Sequence, residues 1–244
     1  MSPCTPPSTA IVGIIGAMDV EVALLRERLA GRTTTERAGM VFDQGRIGET
    51  PVVVARCGVG KVSAALCVQT MVDLFGVTHI INTGVAGSLD ARINIGDLVV
   101  ATDAVEHDMD VTPLGYEPGQ VPGLSVHAFA ADAALGAAVQ TAAAQVAPEI
   151  GVFEGRVASG DQFVADATVK DRIAKQFGAL CCEMEGAAIA QACWLNGVAF
   201  VVVRAISDKA DGSDVVAYPV FEEQAAQRCA AIVGAVLEGW TAPA

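Results

Sequence analysis

Apolar residues fall along this chain in two alternating patterns. Short, nearly continuous apolar runs at residues 11–15, 52–55, 79–82, 98–101 and 198–203 end near Gly, Asn or Arg, and they predict strands buried on both faces. Between them, apolar residues recur at spacings of three and four: Val22, Leu25 and Leu29; Ala65, Val68, Val72 and Phe75; Phe221, Ala225, Cys229, Ile232 and Val236. These predict amphipathic helices. Residues 133–147 predict a further helix, with Asp132 as its N-cap and Pro148 at its end. The alternation of strand and helix predicts an α/β fold, with helices covering a largely parallel or mixed central sheet. Residues 107–125 break the pattern with three prolines, three glycines and Tyr116. An ordered loop of that length is more often functional than idle.

No repeat or low-complexity block interrupts the pattern, so residues 11–244 are expected to form a single domain after a flexible, proline-rich extension over residues 1–10. A hydrophobic share of 52% against 18% charged residues excludes a disordered chain. The net charge of −13 argues against nucleic acid as a partner. No apolar run approaches the roughly 18 to 20 residues that cross a bilayer, so no membrane partner is expected. The first ten residues lack the features of a secretory signal, and the seven cysteines include no CxxC pair. The expectation is a cytoplasmic protein with reduced thiols and no structural zinc.

Several motifs fail on inspection. Gly58-Val59-Gly60-Lys61 resembles part of a phosphate loop, but Ala55 and Val62 stand where that loop needs Gly and Ser or Thr. A dinucleotide fingerprint fails at Ser63. His79, His107 and His127 have no metal-pair spacing, so no metal is expected. What remains are charged residues at the ends of predicted strands, where open α/β sheets place their ligands. Glu21 follows the first strand and the turn Gly16-Ala17-Met18. Glu183-Met184-Glu185 precedes the small, apolar run GAAIAQAC. Arg204 and Asp208 end the most apolar strand, where a charge is costly unless it is paired or functional. Taken alone, each is equally compatible with a helix-start acid or a structural ion pair.

Seven ordered blocks make the combination specific: IVGIIGAMDVEVALL, CGVGKVSAAL, INTGVAGSL, GDLVVATDAVEHDMDVTPLGYEPGQVPG, ASGDQFV, EMEGAAIA and VVRAISDKADGS. From about residue 11 to 240 the chain resembles the 5′-methylthioadenosine/S-adenosylhomocysteine nucleosidases of the purine nucleoside phosphorylase-like superfamily. That resemblance implies a three-layer α/β/α fold with a mixed central sheet, a homodimer, and hydrolysis of the N-glycosidic bond of adenine thionucleosides without metal or organic cofactor. It implies that Glu21 acts on the attacking water and that Asp208 protonates purine N7. Phe163 would pack on the purine face while the backbone of Val164 reads its edge. Met184 would press on the ribose, Glu185 would hold its hydroxyls, and Arg204 would sit near the water and sugar. Met18, Ala86, Gly87, Glu183, Ser207 and Tyr218 complete the implied substrate contacts. Leu114, Tyr116 and Pro122 would border the 5′-substituent across the dimer interface.

The chemistry supports this division of labour. Breaking the bond from C1′ to the base nitrogen puts positive charge on the ribose and negative charge on the departing base. The reaction therefore needs an acid at the purine and a carboxylate near the sugar. A purine anion is a poor leaving group unless N7 is protonated, which is the role the resemblance gives Asp208. Two positions depart from the family pattern. Val85 stands where some members carry a hydroxyl, and Leu114 stands where an aromatic is common. Phosphorylases carry a GDPxR-type phosphate turn where this chain has GAMDVE, an acid that would repel phosphate. Two alternatives remain: an aminofutalosine hydrolase with the same adenine and ribose contacts, and a non-catalytic nucleoside-binding protein, which predicts loss of at least one of these acids.

Overall fold

The computed structural model describes residues 10–212 and 218–240, with only the backbone of residues 218–220. Residues 1–9 of the expected extension lie outside the described residues. In chain order the elements are β1 (Val12–Gly16), α1 (Asp19–Glu27), β2 (Ala30–Arg37), β3 (Met40–Ile47), β4 (Thr50–Arg56), α2 (Lys61–Phe75), β5 (His79–Ser88) and β6 (Leu98–Glu106). A single 3-10 turn (Thr112–Leu114) interrupts the long loop that follows. Then come β7 (Phe129–Ala130), α3 (Ala133–Val146), β8 (Val152–Ser159), α4 (Ala167–Phe177), β9 (Cys181–Glu183), α5 (Gly186–Asn196), β10 (Ala199–Asp208) and α6 (Tyr218–Gly239).

The sheet is mixed, in the order β10-β6-β8-β9-β5-β1-β4-β3-β2, with β7 at the side of β6. Strand β1 runs parallel to both β4 and β5, and β5 runs parallel to β10. Strand β10 also pairs antiparallel with β6, so β10, β6, β8, β9 and β5 close into a ring. Helices cover both faces, as the α/β/α reading expects. Residues of α2 and α5 pack into one apolar cluster with Ile15, Ile80 and Val202. Those of α1, α3 and α6 pack into another with Ile14, Ile81 and Val203. Consecutive residues of one strand thus point into different clusters, the two-sided burial that near-continuous apolar runs imply. None of the helices is long and apolar enough to cross a membrane among the described residues.

The expected strands are all present, but β5, β6 and β10 run well past their apolar stretches toward the site. The helix expected through Leu29 stops at Glu27, and Leu29 packs on the core from the turn before β2. A side chain at i+4 can be buried without helical backbone when the following strand starts under the same surface. The Asp132 cap is present, its Oδ1 accepting the Leu135 N–H at 2.8 Å. Strands β2 and β3 escape the apolar pattern. All of β2 is exposed, and it is held by its antiparallel ladder with β3.

Candidate active site

The C-terminal ends of β1, β5 and β10 meet β9 and the start of α5 at one edge of the sheet. A cavity of about 310 Å³ opens there, lined by Met18, Glu21, Ala86, Gly87, Phe163, Val164, Glu183, Met184, Glu185, Ser207 and Asp208. All eleven were expected from the sequence. Arg204 stands behind this wall, fully buried. Ala17, Val59, Val85, Gln162, Cys182 and Glu222 also line the cavity and were not among the expected site residues. The Tyr218 side chain lies outside the described residues. Leu114, Tyr116 and Pro122 do not line the cavity of their own chain, and Leu114 is 76% exposed.

Glu21 occupies the third position of α1, where an acid normally sits in solvent against the helix dipole. Here it is 3% exposed. Its Oε2 accepts the N–H groups of Ala17 at 2.6 Å and Met18 at 2.9 Å, and its Oε1 accepts that of Val85 at 3.0 Å. The turn that ends β1 and the middle of β5 therefore clamp one carboxylate. Burial raises its pKa, against the lowering effects of Arg204 and these three N–H groups. A Cβ on Gly84 would sit against Glu21 Oε1 and 2.6 Å from Arg204 Nη1, so the strand approaches this pair only as glycine.

Arg204 anchors a second buried acid, Glu183. Its Nη2 donates to Asn82 Oδ1 at 2.6 Å and pairs with Glu183 Oε2. Glu183 also accepts the N–H groups of Glu185 and Gly186 and the hydroxyl of Ser159, which in turn accepts the Ala187 N–H. Although Glu183 borders the cavity, its oxygens are spent on the protein, and its carboxylate caps α5. Glu185 is less engaged. Its Oε1 accepts the Gly60 N–H at 2.7 Å, and it is 6% exposed. Burial pushes its pKa up to about 7, aided by the negative charge of Glu183 and opposed by Arg204.

Asp208 ends β10 just after a register shift, at which Ile206 pairs with Ala86 and Asp208 with Gly87. The bulge lets consecutive residues, Ser207 and Asp208, both reach the cavity wall. Asp208 Oδ2 accepts the Ser207 hydroxyl at 2.9 Å, and Oδ1 accepts the Ala210 N–H at 2.7 Å. Phe163, Val164 and Met184 give the same cavity an apolar lining. The arrangement therefore offers one acid at the end of β10, a second near a buried guanidinium, and a third hydrogen-bonded to the α2 turn. Val85 lines the cavity without a hydroxyl, and its backbone N–H is committed to Glu21. No three His, Cys, Asp or Glu side chains gather to hold a metal ion among the described residues.

The family model of the phosphorylase superfamily matches residues 11–238. A 5′-methylthioadenosine/S-adenosylhomocysteine nucleosidase of Treponema pallidum is 41% identical, over 93% of this chain and 92% of that protein. A solved nucleosidase of that description from Neisseria meningitidis, in complex with methylthio-immucillin-A, superposes with a TM-score of 0.90 at 35% identity, covering 94% of this chain and 99% of that one. The futalosine hydrolase of Helicobacter pylori superposes with a TM-score of 0.89 at 33% identity, covering 95% of this chain and 99% of that one. Matches of this length and identity extend over the cavity and both helical layers, and the chain belongs to the 5′-methylthioadenosine/S-adenosylhomocysteine nucleosidase family of the phosphorylase superfamily.

Proposed function

We propose that this protein is an N-glycosidic hydrolase that cleaves 5′-methylthioadenosine and S-adenosylhomocysteine, releasing adenine and the 5-thioribose product. The observation that carries the reading is a single cavity lined by Glu21, Asp208, Glu185, Phe163 and Met184. Adenine lies against Phe163 with its edge at the Val164 backbone and N7 at Asp208. The ribose lies at Met184, with its hydroxyls donating to Glu185. A water waits between Glu21 and the anomeric carbon, on the side of Arg204. As the bond from C1′ to the base breaks, Asp208 delivers a proton to N7, so adenine leaves without a full negative charge. Glu21 accepts the proton of the attacking water, whose oxygen becomes the new C1′ hydroxyl. The ribose passes through a cationic state, which the surrounding carboxylates stabilise.

Water is the nucleophile because the turn after β1 has no anion site to offer. Its Ala17 and Met18 N–H groups, which could otherwise cradle an oxyanion, are taken by Glu21 itself. A phosphate placed there would face that carboxylate. Leu114, Tyr116 and Pro122, absent from their own cavity, border the 5′-substituent of a neighbouring subunit, which makes the active unit a homodimer. The six described cysteines are free, buried thiols, which suits a reducing cytoplasm.

The similarity to a futalosine hydrolase keeps one rival in view, since aminofutalosine presents the same adenine and ribose. Parallel rate measurements on methylthioadenosine, S-adenosylhomocysteine and aminofutalosine test the choice. A higher kcat/KM for the thionucleosides is expected, and a preference for aminofutalosine would overturn it.

A further inference from the structure

The turn Gly58-Val59-Gly60-Lys61 fails as a phosphate loop, and the structure occupies its free N–H groups in another way. The first N–H groups of a helix have no partner within it. At the start of α2 the Gly60 N–H donates to Glu185 Oε1 at 2.7 Å, and the Lys61 N–H donates to Asp161 Oδ1 at 2.9 Å. Gly60 has φ +98°, and a Cβ there would come within 3.0 Å of Asp161 Oδ1, so glycine is needed on both counts.

The Lys61 side chain reaches the end of β6, where its Nζ donates to Glu106 Oε2 at 3.0 Å and to Asp108 Oδ1 at 2.7 Å. The other oxygen of Asp108 accepts the Asp161 N–H at 2.9 Å. Lys61, Asp108 and Asp161 thus form a closed ring of three hydrogen bonds, joining the α2 turn to the loops that follow β6 and β8. Asp161 directly precedes Gln162 and Phe163, both of which line the cavity. Lys61 itself does not line it. Burial works against its ammonium, but the bonds to Asp108 and Glu106 outweigh that and raise its pKa above the ordinary lysine value. Glu106 is 5% exposed, and without the Lys61 ammonium it and Asp108 would lose their shared cation.

We propose that Lys61 is a positioning residue of the nucleoside pocket, holding the Phe163 loop and the Glu185 side of the cavity in register without touching substrate. The inference rests on the adenine-nucleoside reading of the cavity. Phe163 packs on a purine face at which no bond forms or breaks, so displacing its loop weakens ground state and transition state alike. That pattern raises KM and spares kcat.

The test compares wild type with Lys61→Met, Lys61→Arg and Asp108→Asn, using methylthioadenosine kinetics and calorimetric titration with adenine. Lys61→Met is expected to raise KM about 10-fold with kcat within about threefold, and to weaken adenine binding by a similar factor. Lys61→Arg, which keeps charge and reach, is expected to recover most of the loss, and Asp108→Asn to fall between. Wild-type KM and adenine affinity in Lys61→Met would overturn the proposal, as would a fall in kcat at unchanged KM. Should Lys61→Met not fold, Asp108→Asn decides alone, and an unchanged KM there is equally contrary. Wild type that fails to turn over methylthioadenosine would overturn the substrate reading instead, which separates the two failures.

Discussion

Two carboxylates with different surroundings divide the proposed chemistry. Glu21 is sealed under the first turn of α1 and clamped by three N–H groups, whereas Asp208 stands half-buried at the cavity wall on a bulge. Asp208→Asn keeps the side-chain shape and removes the proton donor. It is expected to lower kcat by roughly 1,000-fold while adenine binding and thermal stability stay near wild type. Retained turnover in a folded variant would remove Asp208 from the acid role. Glu185 carries a pH signature. Its pKa rises on folding from the ordinary 4.5 to about 7, chiefly through burial. The folded protein therefore holds that proton more tightly than the unfolded chain. Its stabilising share is complete below about pH 4.5 and is lost as pH rises through about 7. Urea unfolding of Glu185→Gln at pH 5 and pH 8 checks this, because the variant should gain stability relative to wild type at the higher pH. A difference that does not change with pH would contradict it. Glu21, Glu185 and Asp208 stood out in the sequence as charges beside apolar strands and helices, but only the seven ordered blocks together suggested roles for them. Gln162, Val59 and Cys182 were not legible, since each is ordinary for its segment and reaches the cavity only through the way its segment packs.

Strand ends do most of the placing. Strands β5 and β10 run parallel past their apolar stretches, and their final residues, Ala86, Gly87, Ser207 and Asp208, form part of the cavity wall. Gly84 on β5 tests how tightly that wall is built. Gly84→Ala is expected to abolish measurable turnover by pushing Glu21 and Arg204 apart, although it adds only a methyl group. Activity within a few-fold of wild type would show that the pair need not stay in place. Away from the site, Asp132→Ala removes the α3 cap and is expected to cost about 1 kcal/mol of stability with unchanged kcat/KM, as measured by denaturant unfolding. The strands that the apolar pattern revealed are the ones that bury two faces. Strand β2 was missed because it buries neither, and Thr33, Thr34 and Thr35 are its only strand-like feature. Helix α1 was read two residues too long because Leu29, partly buried, packs on the core from outside the helix.

The closed ring of β10, β6, β8, β9 and β5 was beyond the reach of periodicity, since it depends on pairings between residues far apart in the chain. Layer order and family were nonetheless visible, because seven motif blocks fall in sequence at the ends of the strands that build the site. The loop carrying Leu114, Tyr116 and Pro122 has no place in its own cavity, so the proposed assembly predicts a dependence of KM on dimerisation. Dilution or an interface variant that yields monomers, checked by sedimentation, should raise KM for methylthioadenosine, whereas full activity in monomers would rule out a shared pocket. The most direct measurement is product analysis of the purified protein with methylthioadenosine, in the presence and absence of phosphate. Adenine and free methylthioribose should appear at the same rate in both. Adenine released only when phosphate is added, together with a sugar 1-phosphate, would contradict hydrolysis.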